Sequence, residues 1–418
     1  MRIAVIGAGI SGLACAYVLG RRHDVSVFEQ STSLGGHAHT TYVPDRHGNR
    51  IAIDTGFIVY NEPNYPYLTE LFAQLDVPTQ NSDMSFSVHC ERTGYEFNGS
   101  DFNRLFAQRS NLGNFRHWRM LVEIMRFHTL ARKVIETGLG DGQTVQAFID
   151  QHRLSDMFVE RYLVPLGASL WSSEPVHFRS FPIAFVLEFL HNHGMLQVEG
   201  RPQWRTVSGG SRAYVERLAA ALRAEVHLGT EVRTWRREGA RIEVQLTDGQ
   251  TLAFDEVIVA VHADQAMQLG DNRDTDEQAL LANFPYRRNE VILHKGVATL
   301  PDRKRAWAAW NYRIPNQGSD AVPVTYYMNR LQNLPTDDHF CVSLNSQNLD
   351  PASVLKRYTY AHPTFGSGRA GAQSAHAQFI RRRGVSFCGA YWGYGFHEDG
   401  IASAMRVCQA FGMSLADG

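Results

Sequence analysis

The sequence predicts an α/β protein of two domains, one of them discontinuous, and three observations carry that expectation. The chain opens on a short apolar run, a glycine turn, a helix and a second apolar run, "RIAVIGAGISGLACAYVLGRRHDVSVFE". Patterns of the same kind return near residue 205 and again at the C-terminal end, "GVSFCGAYWGYGFHEDGIASAMRVCQAF". Between them lie segments of another character, first helix-rich and then alternating, so pieces of one domain are separated along the chain by pieces of a second. The boundaries read as 1–75, 201–285 and 380–418 for the first domain, and 76–200 and 286–379 for the second.

Size and composition permit this. The chain has 418 residues, 44% of them hydrophobic and 20% charged, enough for two cores of ordinary globular composition. A net charge of −1 offers no basic face to a polyanion, so nucleic acid is not an expected partner. The five cysteines, Cys15, Cys90, Cys341, Cys388 and Cys408, are scattered without CxxC or Cys/His spacing. Neither a disulfide framework nor a metal site is signalled, and a reducing cytoplasm is the expected location. "MRIAVIGAG" reads as a strand rather than a secretory leader. No stretch reaches the roughly 18 uncharged apolar residues that span a bilayer, so a soluble or peripheral protein is expected.

In the opening unit, Gly7, Gly9 and Gly12 form GxGxxG between a strand and a helix that starts at Ile10 and Ser11. The first glycine permits a tight turn, the second lets a pyrophosphate reach the backbone, and the third lets helix and strand pack closely. Free N–H groups and the helix dipole then favour phosphate at the helix start. Glu29, which Gln30 follows, lies 22 positions after Gly7 (29 − 7), placed to accept hydrogen bonds from adenosine ribose hydroxyls. A glycine turn without function is the plainer alternative, but strand, helix, strand and acid stand in register against it.

A second glycine pair points to a longer cofactor. In "EQSTSLGGHAHT", Gly35 lies six positions after Glu29 (35 − 29) and Gly36 follows, a second backbone approach that a simple nicotinamide-binding unit does not require. Here the sequence resembles the flavin-containing amine oxidase superfamily, which includes protoporphyrinogen oxidases and carotenoid desaturases. The resemblance implies FAD, a discontinuous Rossmann-type FAD-binding domain and a mixed α+β substrate domain, in an amine-oxidase-like arrangement. Where the family usually has Arg after the glycine pair this chain has His37, whose imidazole can still donate a hydrogen bond. "IDTGFIVY" resembles the family segment that passes close to the flavin, which brings in Thr55, Gly56, Phe57 and Ile58; an ordinary glycine turn is the alternative. In the block from 205, "EVHLGTEVRTWRRE" reads as a strand pair and "RIEVQLTDGQTLAFDEVIVAV" as a hairpin turning at Asp248-Gly249. Val232 stands where the family's backbone meets the adenine.

The last segment is a strand, an aromatic and glycine-rich loop, and a helix expected to begin near Gly400, with Asp399 as its cap and Ile401 after it. It resembles the family's C-terminal flavin motif, whose helix dipole stabilises negative charge on the reduced flavin. Many members have an acid after the strand; this chain has Gly389-Ala390. The first turn of the chain and its last helix are expected at opposite ends of one extended FAD.

Three catalytic candidates follow. Tyr391 and His397 lie in the loop after the last strand, and His397 has an ordinary pKa suited to proton handling near neutral pH; a histidine that only orders the loop is equally consistent. Amine oxidases of the superfamily place a lysine near the flavin, and Lys295 in "VILHKG" is the candidate, although His294 and Lys295 fall on opposite faces of a strand. Cys388 raises the possibility of a covalent flavin link, with a core thiol as the alternative.

"FPIAFVLEFLHNHGML", residues 181–196, suits either a long apolar substrate or a plain core. Residues 103–134 mix Arg with Leu, Phe, Trp and Met at helical spacing, the pattern of a helix lying on an anionic bilayer or of a solvated helix face. The whole chain is most similar to bacterial FAD-binding oxidoreductases associated with cyclopropane-fatty-acid-type methyltransferases. That implies oxidation or desaturation of a fatty acyl or other lipid chain. An amine oxidase releasing hydrogen peroxide, and a flavoprotein whose FAD is structural, are the alternatives.

Overall fold

A computed structural model describes residues 1–138, 142–197, 199–270, 275–316, 323–346, 349–364, 366 and 368–417. Its centre is a five-stranded parallel sheet in the spatial order 225–228, 24–29, 2–6, 256–259, 385–387. The strands Arg2–Ile6, Asp24–Glu29, Glu256–Val259 and Val385–Phe387 have apolar interiors interrupted only by the buried Ser26 and Ser386, because both faces are covered. Three of these strands come from beyond residue 200, so the discontinuity read from the sequence is present in the sheet.

The opening helix, Ile10–Leu19, buries nine of its ten residues. One side meets the sheet and another meets the terminal helix His397–Gln409, whose Ile401, Ala404, Met405 and Cys408 join the same core. Gly12 makes the close approach that its place in the motif requires: a Cβ there would stand 1.9 Å from the Gly7 carbonyl oxygen.

The second layer is a seven-stranded sheet in the order 354–363, 286–295, 340–344, 324–327, 310–314, 86–90, 95–98. Its pairings are antiparallel except 310–314 with 86–90. The hairpin 86–98 adds strand to a region the sequence presents as helical. The Phe115–Thr137 and Ile183–Asn192 helices then pack around Phe127, Phe148, Phe158 and Phe181.

The strand pair expected over 225–238 divides between two sheets. Glu225–Leu228 pairs in parallel with Asp24–Glu29, while Val232–Glu238 begins a three-stranded antiparallel sheet. The Thr230 amide donates to the Glu29 carbonyl at 2.9 Å, so the chain crosses the end of the acid-bearing strand between the two. The turn at Asp248-Gly249 is as expected, with Gly249 at φ +93° and strands Arg241–Leu246 and Thr251–Phe254 on either side.

Candidate active site

A cavity of about 830 Å³ runs between the two sheets, in the upper part of the range for small-molecule and cofactor sites. One stretch of its wall consists of Gly7, Gly9, Ile10, Ser11, Glu29, Gln30, Gly35, Gly36, His37 and Val232. Gly7 turns at φ +100° with its amide on the Phe28 carbonyl (2.8 Å), and a Cβ placed on Gly9 would meet nothing within 4 Å: there is open space at the start of the Ile10–Leu19 helix, where a phosphate would sit. Glu29 accepts from the Ala8 and Ser31 amides, each at 2.8 Å. Two backbone donors fix the carboxylate while its remaining lone pairs stay available to ribose hydroxyls. The residues present therefore fit an adenine dinucleotide.

Thr55, Gly56, Phe57 and Ile58 line the next stretch. Their backbone is held by the Thr55 amide on the His39 carbonyl (2.9 Å) and the Phe57 amide on the His37 carbonyl (2.7 Å). Gly56 is required there because a Cβ would fall 2.2 Å from the His37 oxygen. Below them the buried Asp54 accepts from the Thr40 hydroxyl, the Ser211 amide and the Gln332 side chain at 2.6, 2.8 and 2.9 Å, tying the segment to three other elements. Burial pushes the Asp54 carboxyl up to about 6.

The terminal helix begins at His397, three residues before the expected start (400 − 397), with Phe396 as its cap residue. Its three polar residues do separate work. His397 faces the cavity, stacked on Phe57 at 4.0 Å between ring centres, with Nε2 2.6 Å from the Tyr214 hydroxyl. Glu398 turns away and accepts from the Tyr67 and Leu68 amides at 2.9 and 3.0 Å, capping the Pro66–Gln74 helix. Asp399 accepts from the Phe396 amide at 2.8 Å and holds the aromatic loop.

Among the expected ligand-binding residues, Gly12, Asp399, Gly400 and Ile401 stand behind the wall rather than in it. A Cβ on Gly400 would come within 2.9 Å of Ile10 and 3.0 Å of the Ser11 hydroxyl. The two helix starts therefore abut and do not sit at opposite ends of the cavity; two N-terminal dipoles converge on one place, which favours an anion there. Gly389 lies in the wall with Ala390, its amide bonded to the Ser403 hydroxyl at 2.9 Å.

The catalytic candidates fare unequally. Burial, with the neighbouring His37 second, pulls His397 down to about 3, so it is neutral at pH 7 and does not titrate in the range expected for it. Tyr391 reaches the cavity, but its ring is fully buried beside Phe284 and Trp392 and its phenol is pushed upward by burial; it is a wall. Lys295 is a correction. It pairs with Asp338 at 2.8 Å, away from the cavity, and its strand neighbour His294 is buried against the Ser343 hydroxyl. Neither lines the cavity, because the Asp338 carboxylate draws the Lys295 ammonium to it and His294 is buried within the sheet. Cys388 packs with Leu13, Ile258 and Cys408 and does not line the cavity.

Sequence reading missed Tyr214, which pins His397, and Tyr360, whose hydroxyl is 2.7 Å from that of Thr55. It also missed His262 and His362, whose rings stand 5.5 and 5.9 Å from that of His37. A signal existed for Tyr214 alone: "SGGSRAY" is a third glycine turn running into a helix.

A family model described as flavin containing amine oxidoreductase matches residues 10–292, more than half of the chain. The chain belongs to that family. It is an FAD-dependent oxidoreductase, and the dinucleotide that fits the cavity is FAD. Among solved structures it is similar to a cyclohexylamine oxidase from Brevibacterium oxydans, at TM-score 0.70 and 16% identity over 100% of this chain and 98% of that one. A fatty acid isomerase from P. acnes that produces CLA gives TM-score 0.70 and 16% identity over 98% of each. A putrescine oxidase variant with redesigned cofactor binding gives 0.69 and 16% over 100% and 99%. By sequence, no curated protein matches. At these identities the likeness concerns the fold. Among the described residues no helix is long and apolar enough to cross a membrane.

Proposed function

We propose that this flavin oxidoreductase dehydrogenates or oxidises an apolar substrate, a fatty acyl or other lipid chain, as a cytoplasmic protein in peripheral contact with the membrane. One observation carries the reading. The Asp, Glu, Lys and Arg side chains among the described residues lining the cavity are Glu29, Glu231 and Arg233, all at the adenosine stretch. The remainder is walled mainly by apolar side chains, among them Leu170, Trp171, Phe189, Met195, Trp204, Val291, Trp310, Tyr326 and Leu344, and the histidines that join them, His262, His362 and His397, are held neutral by burial. A protonated amine would enter that space without a counter-ion, at a desolvation cost of several kcal/mol; an acyl chain would gain roughly 0.8 kcal/mol for each CH2 buried. The position of Lys295 outside the cavity also removes the lysine that the amine oxidase reading called for.

FAD, when bound, supplies the two-electron acceptor for a C–H bond held against it. Gly7, Gly9, Ser11 and Glu29 hold its adenosine and phosphate portions. Phe57, Tyr391 and Phe396 exclude water from the remainder of the wall. His397, neutral and bonded to Tyr214, holds a proton at whichever of its nitrogens the hydroxyl leaves for donation; it orients a hydrogen bond rather than collecting a proton from solvent. Glu188, the acid that interrupts the apolar stretch at 181–196, is exposed, which leaves the Phe189 side of that helix to the cavity.

Anaerobic incubation with phospholipids, free acyl chains and simple amines tests the reading through bleaching of the flavin absorbance. A lipid is expected to bleach it and amines to leave it yellow. Bleaching by amines alone, with hydrogen peroxide appearing on admission of air, would assign an amine oxidase instead.

A further inference from the structure

The Phe115–Thr137 helix buries His117, Met120, Phe127, Ala131 and Val134 and turns a different face to solvent. On that face stand Phe115, Trp118, Val122 and Met125, exposed by 79, 40, 66 and 52%. Phe102 and Leu112, exposed by 65 and 51%, extend it from the preceding turns. The Trp118 indole N–H donates to the Leu112 carbonyl at 2.9 Å, fixing the two on one surface. Large apolar side chains are exposed at eleven described positions in the chain, and six are these. Scattered exposure would not gather so many in one place.

The charges around them are mainly of one sign, with the exposed acids Asp101 and Glu136 only at the two ends of the stretch. Over residues 102–133 the exposed charged side chains are Arg109, Arg116, Arg119, Arg126, Arg132 and Lys133. The one acid of that stretch, Glu123, is buried and accepts from the Ser155 amide at 3.2 Å. At about 100° per residue the four apolar side chains of the helix fall within an arc of roughly 80°, with Arg119, Arg126 and Lys133 inside or beside it. A second copy meeting this face through a twofold axis would set cations against cations, which opposes self-association. Exposed Phe and Trp flanked by Arg and Lys match the boundary between anionic headgroups and acyl chains.

We infer that this face docks the protein on an anionic lipid bilayer, with Phe115, Trp118, Val122 and Met125 in the headgroup layer and Arg116, Arg119, Arg126 and Lys133 on lipid phosphates. The inference rests on the peripheral membrane contact proposed above and names its surface, but it is independent of the substrate, since a bilayer can hold the protein whatever it oxidises. It does explain one feature of the site: the Arg132 guanidinium donates to the Leu196 carbonyl at 3.3 Å, beside Met195 of the cavity wall, so the docked helix lies next to the apolar end.

The test is sedimentation of the full flavin-loaded chain with vesicles of equal parts phosphatidylcholine and phosphatidylglycerol, and with phosphatidylcholine alone. Binding is expected to the anionic vesicles and to fall about tenfold or more in Phe115→Ser/Val122→Ser/Met125→Ser, in Arg116→Glu/Arg119→Glu/Arg126→Glu, and at high salt. Flavin content is expected to stay unchanged in both variants, because all six side chains face solvent; the thermal midpoint should hold in the serine variant and fall modestly in the arginine variant, which gives up the Arg119–Glu123 pair (3.7 Å) and the Arg126 bond to the His152 carbonyl (3.0 Å). Native protein that ignores anionic vesicles, or variants that bind as well as it does, would overturn the inference. A native dimer that the serine variant splits, seen by light scattering, would assign the face to a second copy and equally overturn it.

Discussion

The two ends of the cavity are built by opposite means. At the adenosine end the wall is backbone: Gly7, Gly9, Gly35 and Gly36 leave it free of side chains, the Gly7 and Gly35 amides donate to the Phe28 and Ala8 carbonyls, and Glu29 is aimed by the Ala8 and Ser31 N–H groups. All the residues involved come from two short stretches near the chain start and one near Val232. At the far end the wall is of side chains, mostly apolar ones from Tyr65 to Leu344, with no Asp, Glu, Lys or Arg among the described lining residues there. Hydrogen bonding to a pyrophosphate demands exact backbone paths, hence glycines at fixed spacing, whereas excluding water demands only volume and apolarity, which many residue choices supply.

That contrast can be broken or sharpened by substitution. The largest effect is expected from Gly12→Val, whose side chain must displace the Gly7 carbonyl; it should leave little folded protein in a soluble-expression assay. Gly9→Val is its counterpart, because its Cβ meets open space: the thermal midpoint of the flavin-free protein should hold while the flavin-to-protein absorbance ratio collapses. If both variants lose only flavin, Gly12 has no packing role. Next, Phe189→Ala should destabilise by about 3–5 kcal/mol in urea titration, as other buried aromatic truncations do, and leave FAD affinity nearly as it was. Glu29→Ala should do the reverse, weakening FAD by about 1–3 kcal/mol with the loss of charge-assisted bonds, read by fluorescence of released flavin.

A smaller effect is expected in pH dependence. Burial pushes the Glu398 carboxyl from its ordinary 4.5 up to about 7, so the folded state holds that proton more tightly than the unfolded chain does. Its contribution to stability is full below about 4.5 and is lost as pH rises through 7. Glu398→Gln should therefore flatten the fall in urea midpoint between mildly acidic and mildly alkaline buffer. A variant whose profile overlays the native one would show that Glu398 is not so perturbed. Least of all should Lys295→Met matter: a partly exposed pair with Asp338 contributes about 0–1 kcal/mol, and flavin reduction by substrate should change less than about twofold. A hundredfold loss would return that lysine to the active site.

The sequence "FHEDGI" illustrates how far reading along the chain could go. The sequence offered His397 for proton handling and Asp399 as a cap and left Glu398 without a role; in the fold His397 faces the cavity, Glu398 caps a helix more than 300 residues away in sequence (398 − 68), and Asp399 caps its own loop. Capping the local loop is a short-range matter that spacing reveals. Which distant N–H groups meet Glu398, and which phenol meets His397, depends on how the Pro66–Gln74 and Arg212–Ala221 helices pack against the C-terminal one.

The GxGxxG unit, the acid at Glu29 that ends the second strand, the second glycine pair, the turn at Asp248-Gly249 and the interleaving of two domains' worth of strands were all written in local order, because backbone conformation and hydrophobic period act over a few residues. The division of 225–238 between two sheets, the abutting helix starts at Gly400 and Ile10, the depressed His397 and the exclusion of Lys295 from the cavity arose from packing. Burial and charge environment are properties of what surrounds a side chain in space, and no stretch of neighbours in sequence contains them.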